Sequence, residues 1–298
     1  MKNIYEQVDE NKFRSGLVIA SFIIFITAAT YLITYSLGFD ISAVGIALII
    51  SGVISFISYY NSDKIILGIS GASPANKRDH FDFYTVAENL SRAARIPMPK
   101  LYVIEDSAMN AFATGRDPMH AVVCATTGIL SRLNRTELEG VVAHELSHIR
   151  NYDIRLMSIV TILVGLVTLL ADILLRTRIR GRSNRDEGNL GAILFIAGLV
   201  MAILSPIVAQ LIQLAISRRR EFFADASGAS LTKYPEGLAS ALEKIAADKE
   251  PLEAANKATA HLYIANPLKN HHDSIGWFAG LFNTHPPVKE RIIALRGT

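Results

Sequence analysis

The stretch VVAHELSHIRNYDIRLMSIVTILVGL, from Val141 to Leu166, decides the fold. Its first half carries two histidines and a glutamate, and its second half is apolar. His144 and His148 are four residues apart, so a helix sets both imidazoles on one face, one turn apart. The helix is supported by the apolar stripe Leu138, Val141, Val142 and Ile149, and by the capping-box spacing of Asn134 and Glu137. His-Glu-x-x-His on a helix is the pattern in which two imidazoles bind zinc and the glutamate, here Glu145, handles the proton of an attacking water. Two surface histidines on an ordinary helix are the plainer alternative. Chance would produce this spacing somewhere in the chain about one time in a hundred.

A catalytic zinc needs a third protein ligand and one open position. The compact form, with a third His shortly after a Gly, fails because Asn151 and Ile154 occupy those positions. The best candidate elsewhere is Glu221 in RRREFFADASGAS, with Glu187 and Glu236 next in line. Asp225 lies one turn beyond Glu221 on the same face, where it can accept the free N–H of a ligand imidazole and fix its tautomer. Ala224, Ala226, Gly228 and Ala229 would let this helix approach the first closely.

Hydrophobic residues make up 50% of the 298, and the mean hydropathy is +0.29. That excess is concentrated. Gly16 to Phe39 and Ile41 to Ser62 carry no charge, and each is long enough for a ~30 Å hydrocarbon core, which takes roughly 20 helical residues. With only Asp40 between them they read as a membrane hairpin. The first run is too long for a signal-peptide core and lacks a cleavage site, so it reads as a retained anchor. A second apolar pair spans 156–217; its first member is short and meets Asp172, and its second contains Pro206. Buried core helices are the alternative reading for either pair. A net charge of +3 is too small to imply a nucleic-acid partner. Cys124 is the only cysteine, which excludes an intrachain disulfide and suits a reducing compartment.

The fold class expected is a mainly α membrane protein: transmembrane helices plus a zincin-like (gluzincin) α+β protease domain with a small sheet. The divisions are a cytosolic lead at 1–15, the hairpin at 16–62, the protease domain in two parts at 63–155 and 218–298, and the second apolar pair at 156–217. Within the domain, His80 to Arg95 reads as an amphipathic helix, and 100–105, 110–115 and 120–128 as strands. Nothing in HIRNYDIRLMSIV would stop the first helix, which is expected to run straight into the apolar segment.

Together these motifs resemble the HtpX-type heat-shock membrane metalloproteases, relatives of the CAAX prenyl proteases. The resemblance covers nearly the whole chain and rests on Asn110-Ala111-Phe112-Ala113, HELSH at His144–His148, Glu221-Phe222-Phe223-Ala224-Asp225, HLYIANPL at His261–Leu268, and LFNTHPPVKERI at Leu281–Ile292. It implies one zinc per chain held by His144, His148 and Glu221, with Glu145 as general base. It makes His285 the candidate second stabiliser of the oxyanion, with a buried structural histidine as its alternative. Asn110, Ala111 and Phe112 resemble the edge strand on which such proteases align a peptide by main-chain hydrogen bonds.

The implied function is cleavage of misfolded or damaged membrane proteins at the cytosolic surface of a bacterial-type inner membrane. Its partners would be unfolded or membrane-protein substrates and the bilayer. A processing protease for one lipidated or anchored substrate, and a non-catalytic zinc scaffold, are the alternatives. Lys2, Lys12 and Arg14 before the hairpin, and Lys64, Lys77 and Arg78 after it, place the zinc domain in the cytosol by the positive-inside rule. The loop RTRIRGRSNRDEGN complicates the second pair. The uncharged run to Ser217 points to full crossing, and Asp172 to a shallow dip.

Overall fold

Two periodicities, 2 in the strands and 3.6 in the helices, generate the layers around the HELSH helix. The computed structural model describes residues 9–21, 59–162, 218–248 and 286–297, together with 23–24, 45, 49, 52–53, 56–57, 250, 252, 259 and 262–264. Most of the 16–62 hairpin, most of the 156–217 pair, Glu187 and His285 lie outside the described residues. Among the described residues no helix is long and apolar enough to cross a membrane.

The elements are α1 (Ser62–Ile69), β1 (Ser73–Pro74), α2 (Phe81–Ala94), β2 (Lys100–Ile104), β3 (Ala111–Gly115), β4 (Ala121–Thr126), α3 (Thr127–Arg132), α4 (Arg135–Arg150), α5 (Arg218–Thr232), α6 (Pro235–Ala247) and α7 (Val288–Arg296). The sheet runs β1-β2-β4-β3, with β2 parallel to β4 and the other pairs antiparallel. Mainly helical with a small mixed sheet, the fold agrees with that part of the expected class. β3 and β4 are buried along their whole length because both faces are covered. Ala111, Ala113, Val123 and Ala125 face the helical layer of α2, α4 and α6. Phe112 and Cys124, one residue out of phase, join Ile66, Met157 and Tyr263 on the other face.

α4 is the central element. Its start is fixed by the capping box: the Asn134 side chain accepts from the Glu137 N–H while Glu137 Oε2 accepts from the Asn134 N–H. Such a cap contributes about 1 kcal/mol. Glu137 also takes hydrogen bonds from Ser240 and Lys244, which fastens α6 across α4. Burial opposes its charge, yet the Lys244 and Asn134 contacts outweigh this and hold the carboxyl below its ordinary range. Gly140 is required where α6 crosses, since a Cβ there would lie 2.5 Å from the Leu238 nitrogen. Gly228 does the same for α5, whose backbone passes so close that a Cβ would sit 3.0 Å from the His144 nitrogen.

One expectation is overturned. The HELSH helix does not run on into the apolar segment: α4 ends at Arg150, Tyr152 takes a left-handed φ of 60°, and a new helix occupies residues 153–162. The physical reason lies in Asn151-Tyr152-Asp153. Five residues of unbroken helix would turn Asp153 about 140° away from His148. The corner folds it back.

Candidate metal centre

α4 and α5 cross so that three side chains converge in the interior. The His144 and His148 rings stand nearly perpendicular, at 87°, with Nε2 atoms 3.1 Å apart. Glu221 reaches in from α5, Oε2 lying 3.8 Å from His144 Nε2 and Oε1 3.6 Å from His148 Nε2. All three ligand atoms lie within 4.8 Å of one another, and each residue is at most 4% exposed. Among the described residues this is the one cluster of His, Cys, Asp and Glu with metal-ligand geometry.

The outer nitrogens explain why the inner ones are available. His144 Nδ1 lies 2.9 Å from Asp225 Oδ1, and His148 Nδ1 lies 3.1 Å from Asp153 Oδ2. Each carboxylate holds the proton on Nδ1, which leaves the Nε2 lone pair pointing inward. The 3.1 Å separation of the two Nε2 atoms is bridged by a proton from the raised His148 in the metal-free chain, in the place a cation would take. Tetrahedral ligands at ~2.0–2.1 Å from an ion would be separated by about 3.3 Å, close to the spacings found here. The donor set fits a metal ion with nitrogen and oxygen preference.

The two carboxylates are themselves held differently. Arg291, from α7 and fully buried, grips Asp225 with two hydrogen bonds, Nε to Oδ2 at 2.8 Å and Nη2 to Oδ1 at 2.7 Å. Its Nη1 donates to the Ile264 carbonyl and lies 3.7 Å from Glu221. Burial works against the Asp225 charge, but Arg291 outweighs it and pulls the carboxyl down to about 2. Asp153 instead accepts from the Asn11 amide, with the Arg220 guanidinium more distant at 3.8 Å.

Glu145 is also buried, within reach of the charges of His148, Glu221 and Arg291. It accepts a hydrogen bond from the Ala113 N–H of β3. Burial pushes its carboxyl up, and the neighbouring Glu221 adds to this; His148, Arg291 and Ala113 pull the other way, leaving it at about 7. A proton carrier poised near neutrality sits beside the metal ligands.

β3 is the edge of the sheet among the described residues, as the resemblance implies for Asn110, Ala111 and Phe112. Asn110 precedes it and is locked to Thr126: its N–H donates to Thr126 Oγ1 and its carbonyl accepts from the Thr126 N–H. The Ala111 carbonyl, on the outer edge, accepts from the Ile264 N–H at 2.9 Å. The Phe112 side chain turns away from the metal cluster, its ring 5.1 Å from that of Tyr263.

Glu221, Ala224, Asp225, Gly228 and Ala229 form the buried stripe of α5, so the ligand and its neighbour ride on the face that meets α4. Ala226, expected in that contact, is exposed. Glu236 is at the surface, paired with Arg296 at 2.7 Å, and is no ligand here. Three contributors escaped the sequence reading: Asp153, Arg291 and Asn11. Arg291 had a signal, since Val288, Arg291, Ile292 and Leu295 share helical spacing and place it in an apolar stripe.

Two imidazoles and a carboxylate that converge in the interior, with a glutamate beside them, define a site of the metallopeptidase class. The family model described as Peptidase family M48 matches residues 80–298, and the chain belongs to that family. A relative from Thermoanaerobacter pseudethanolicus, named Protease HtpX homolog, is 43% identical over 299 residues, covering 99% of this chain and 98% of its own. One of the same name from Dictyoglomus thermophilum is 46% identical over 296 residues, covering 98% and 94%. The solved structure of S. mikatae Ste24p aligns at 16% identity with a TM-score of 0.48, over 98% of this chain and 66% of that one, so this chain spans just under two thirds of its length. The resemblance read from the motifs is borne out.

Proposed function

We propose that this chain is an integral-membrane zinc endopeptidase that cleaves unfolded or damaged membrane proteins at the cytosolic membrane surface. One observation carries the catalytic part: the paired Nε2 atoms and Glu221 face one point, and Glu145 stands on the same helix without joining them. His144, His148 and Glu221 would hold the ion, which when bound supplies Lewis acidity and an acidified water.

The chain's own groups do the rest. Glu145 takes a proton from water at its carboxylate and returns it to the leaving amine. The same carboxylate holds the Ala113 N–H, which ties the proton carrier to the strand on which a peptide would lie. A substrate main chain that took the place of the Ile264 segment on the Ala111 carbonyl would be aligned by hydrogen bonds largely independent of its sequence. His285 is the proposed second donor to the developing oxyanion. The membrane setting is supported by the two uncharged runs between Gly16 and Ser62, and the cytosolic side by the lysines and arginines that flank them.

Glu145→Gln tests the reading directly. Casein cleavage by the detergent-solubilised chain should disappear while about one zinc per chain remains, because Glu145 contributes to proton transfer and not to metal binding. Normal turnover in this variant would refute the assignment, and loss of zinc with activity would make Glu145 structural.

A further inference from the structure

We infer that Asn11, in the helix that leads into the first apolar run, is a positioning residue of the metal centre and acts through Asp153 on His148. Residues 9–21 are helical, and Asn11, Ser15 and Val18 form the buried stripe of that helix while Lys12 and Phe13 face outward. Asn11 is 4% exposed, although it belongs to a stretch whose composition reads as a polar lead.

Both N–H groups of its amide are directed at the corner after α4, and its oxygen faces α5. Nδ2 donates to Asp153 Oδ1 at 2.7 Å and to the Asn151 carbonyl at 2.9 Å, and Oδ1 accepts from Arg220 at 3.3 Å. The opposite orientation of the amide would set its oxygen against two acceptors, so this pattern admits one arrangement. Asp153 thus divides its two oxygens, Oδ1 to Asn11 and Oδ2 to the His148 ring.

The corner needs such a clamp. Tyr152 sits in the left-handed region, which is unfavourable for a bulky residue, and Lys12 covers its ring at 4.8 Å. Asn11 ties the residue before Tyr152 to the residue after it, fixing the carboxylate that sets the tautomer and direction of a metal ligand. The family match begins at residue 80, so this part of the metal centre comes from outside the matched region. A residue next to the first apolar run is thereby wired to the ion.

The inference rests on the metal reading, and the test separates the two. In the full-length chain, zinc affinity is measured by competition with a chromophoric chelator, and casein cleavage gives kcat and KM. Asn11→Ala should weaken zinc about tenfold, the lower end for groups that orient a ligand, and lower kcat with KM unchanged. Asn11→Ser serves the same purpose if the alanine variant does not fold. Asp153→Ala should be weaker still, and Asn11→Ala added to it should change nothing further. Phe13→Ala, on the exposed face of the same helix, should keep wild-type affinity. Unchanged affinity in Asn11→Ala, full additivity with Asp153→Ala, or an equal loss in Phe13→Ala overturns the inference alone. Failure of the wild-type chain to take up zinc overturns the metal reading as well.

Discussion

His144 and His148 stand one turn apart on the same helix, each giving its Nδ1 to a carboxylate, yet their surroundings drive them in opposite directions. Burial pulls the His144 ring below its ordinary value, and Asp225 does not offset this. At His148 burial pulls the same way, but the Asp153 hydrogen bond and the Glu221 charge outweigh it and raise the ring to about 9. The difference traces to the charges around each ring, with Arg291 and His148 opposing a charge on His144 while Glu221 and Glu145 join Asp153 in favouring one on His148. Asp225 is neutralised by a bidentate arginine, whereas Asp153 meets a neutral amide and only a distant guanidinium. A carboxylate already engaged with a cation has less charge to lend an imidazole. One half of the site is thus a rigid, charge-balanced frame, and the other retains a negative excess that a metal ion can satisfy.

The largest effect should come from the frame. Arg291→Met leaves Asp225 buried without its counter-charge, a class of change that costs about 3–5 kcal/mol. Arg220→Met, opposite the more distant partner, should cost clearly less. Denaturant unfolding of the two metal-free variants makes the comparison, and equal losses would show that the halves are balanced alike.

Next come the carboxylates. Asp225→Asn and Asp153→Asn should each weaken zinc affinity or rate by roughly 10–100-fold. Asp225→Asn should also lower the stability of the metal-free chain, because Arg291 then keeps a buried charge with less compensation. Asp153→Asn should be milder in that respect. Chelator competition and thermal unfolding, run on both variants, read the two quantities separately.

A pH dependence follows from the same two halves. A histidine raised in the folded state stabilises fully below about 6.5, and the contribution is lost as pH rises through about 9. Glu145, a carboxyl raised to about 7, loses its contribution between about 4.5 and 7. Both slopes have the same sign, and the lowered His144 opposes them only below about 6.5, so the metal-free chain should become less stable from about pH 6.5 to 9. Asp225, held near 2, adds a contribution lost only in strong acid. Zinc must displace the His148 proton, so loading at pH 7.5 should release about one proton per ion from that ring into a weakly buffered indicator solution. Asp153→Asn should reduce that release, and an unchanged value would remove His148 as its source.

What was legible in the sequence follows from locality. His144, His148, Glu221 and Asp225 declared themselves because each pair is four apart on a helix, where one spacing fixes a shared face. β2, β3 and β4 were visible as runs of β-branched and small residues, and the start of α4 as a capping box. Asp153 was hidden because the corner at Tyr152 has neither Gly nor Pro to announce it. Asn11 and Arg291 were hidden because their partners are distant: Asn11 bonds across 142 residues and Arg291 across 66. Charged and amide side chains in short amphipathic segments look solvent-facing until another segment covers them.

Arg291 also has a consequence in time. Among the residues that assemble this site it is the last to be synthesised, after the helices bearing His144 and Glu221 have emerged. A ribosome-bound chain that stops before residue 291 holds Asp225 without its counter-charge and α5 without the helix that covers it. The nascent protein therefore carries the complete HELSH sequence before the arginine that neutralises Asp225 has been added.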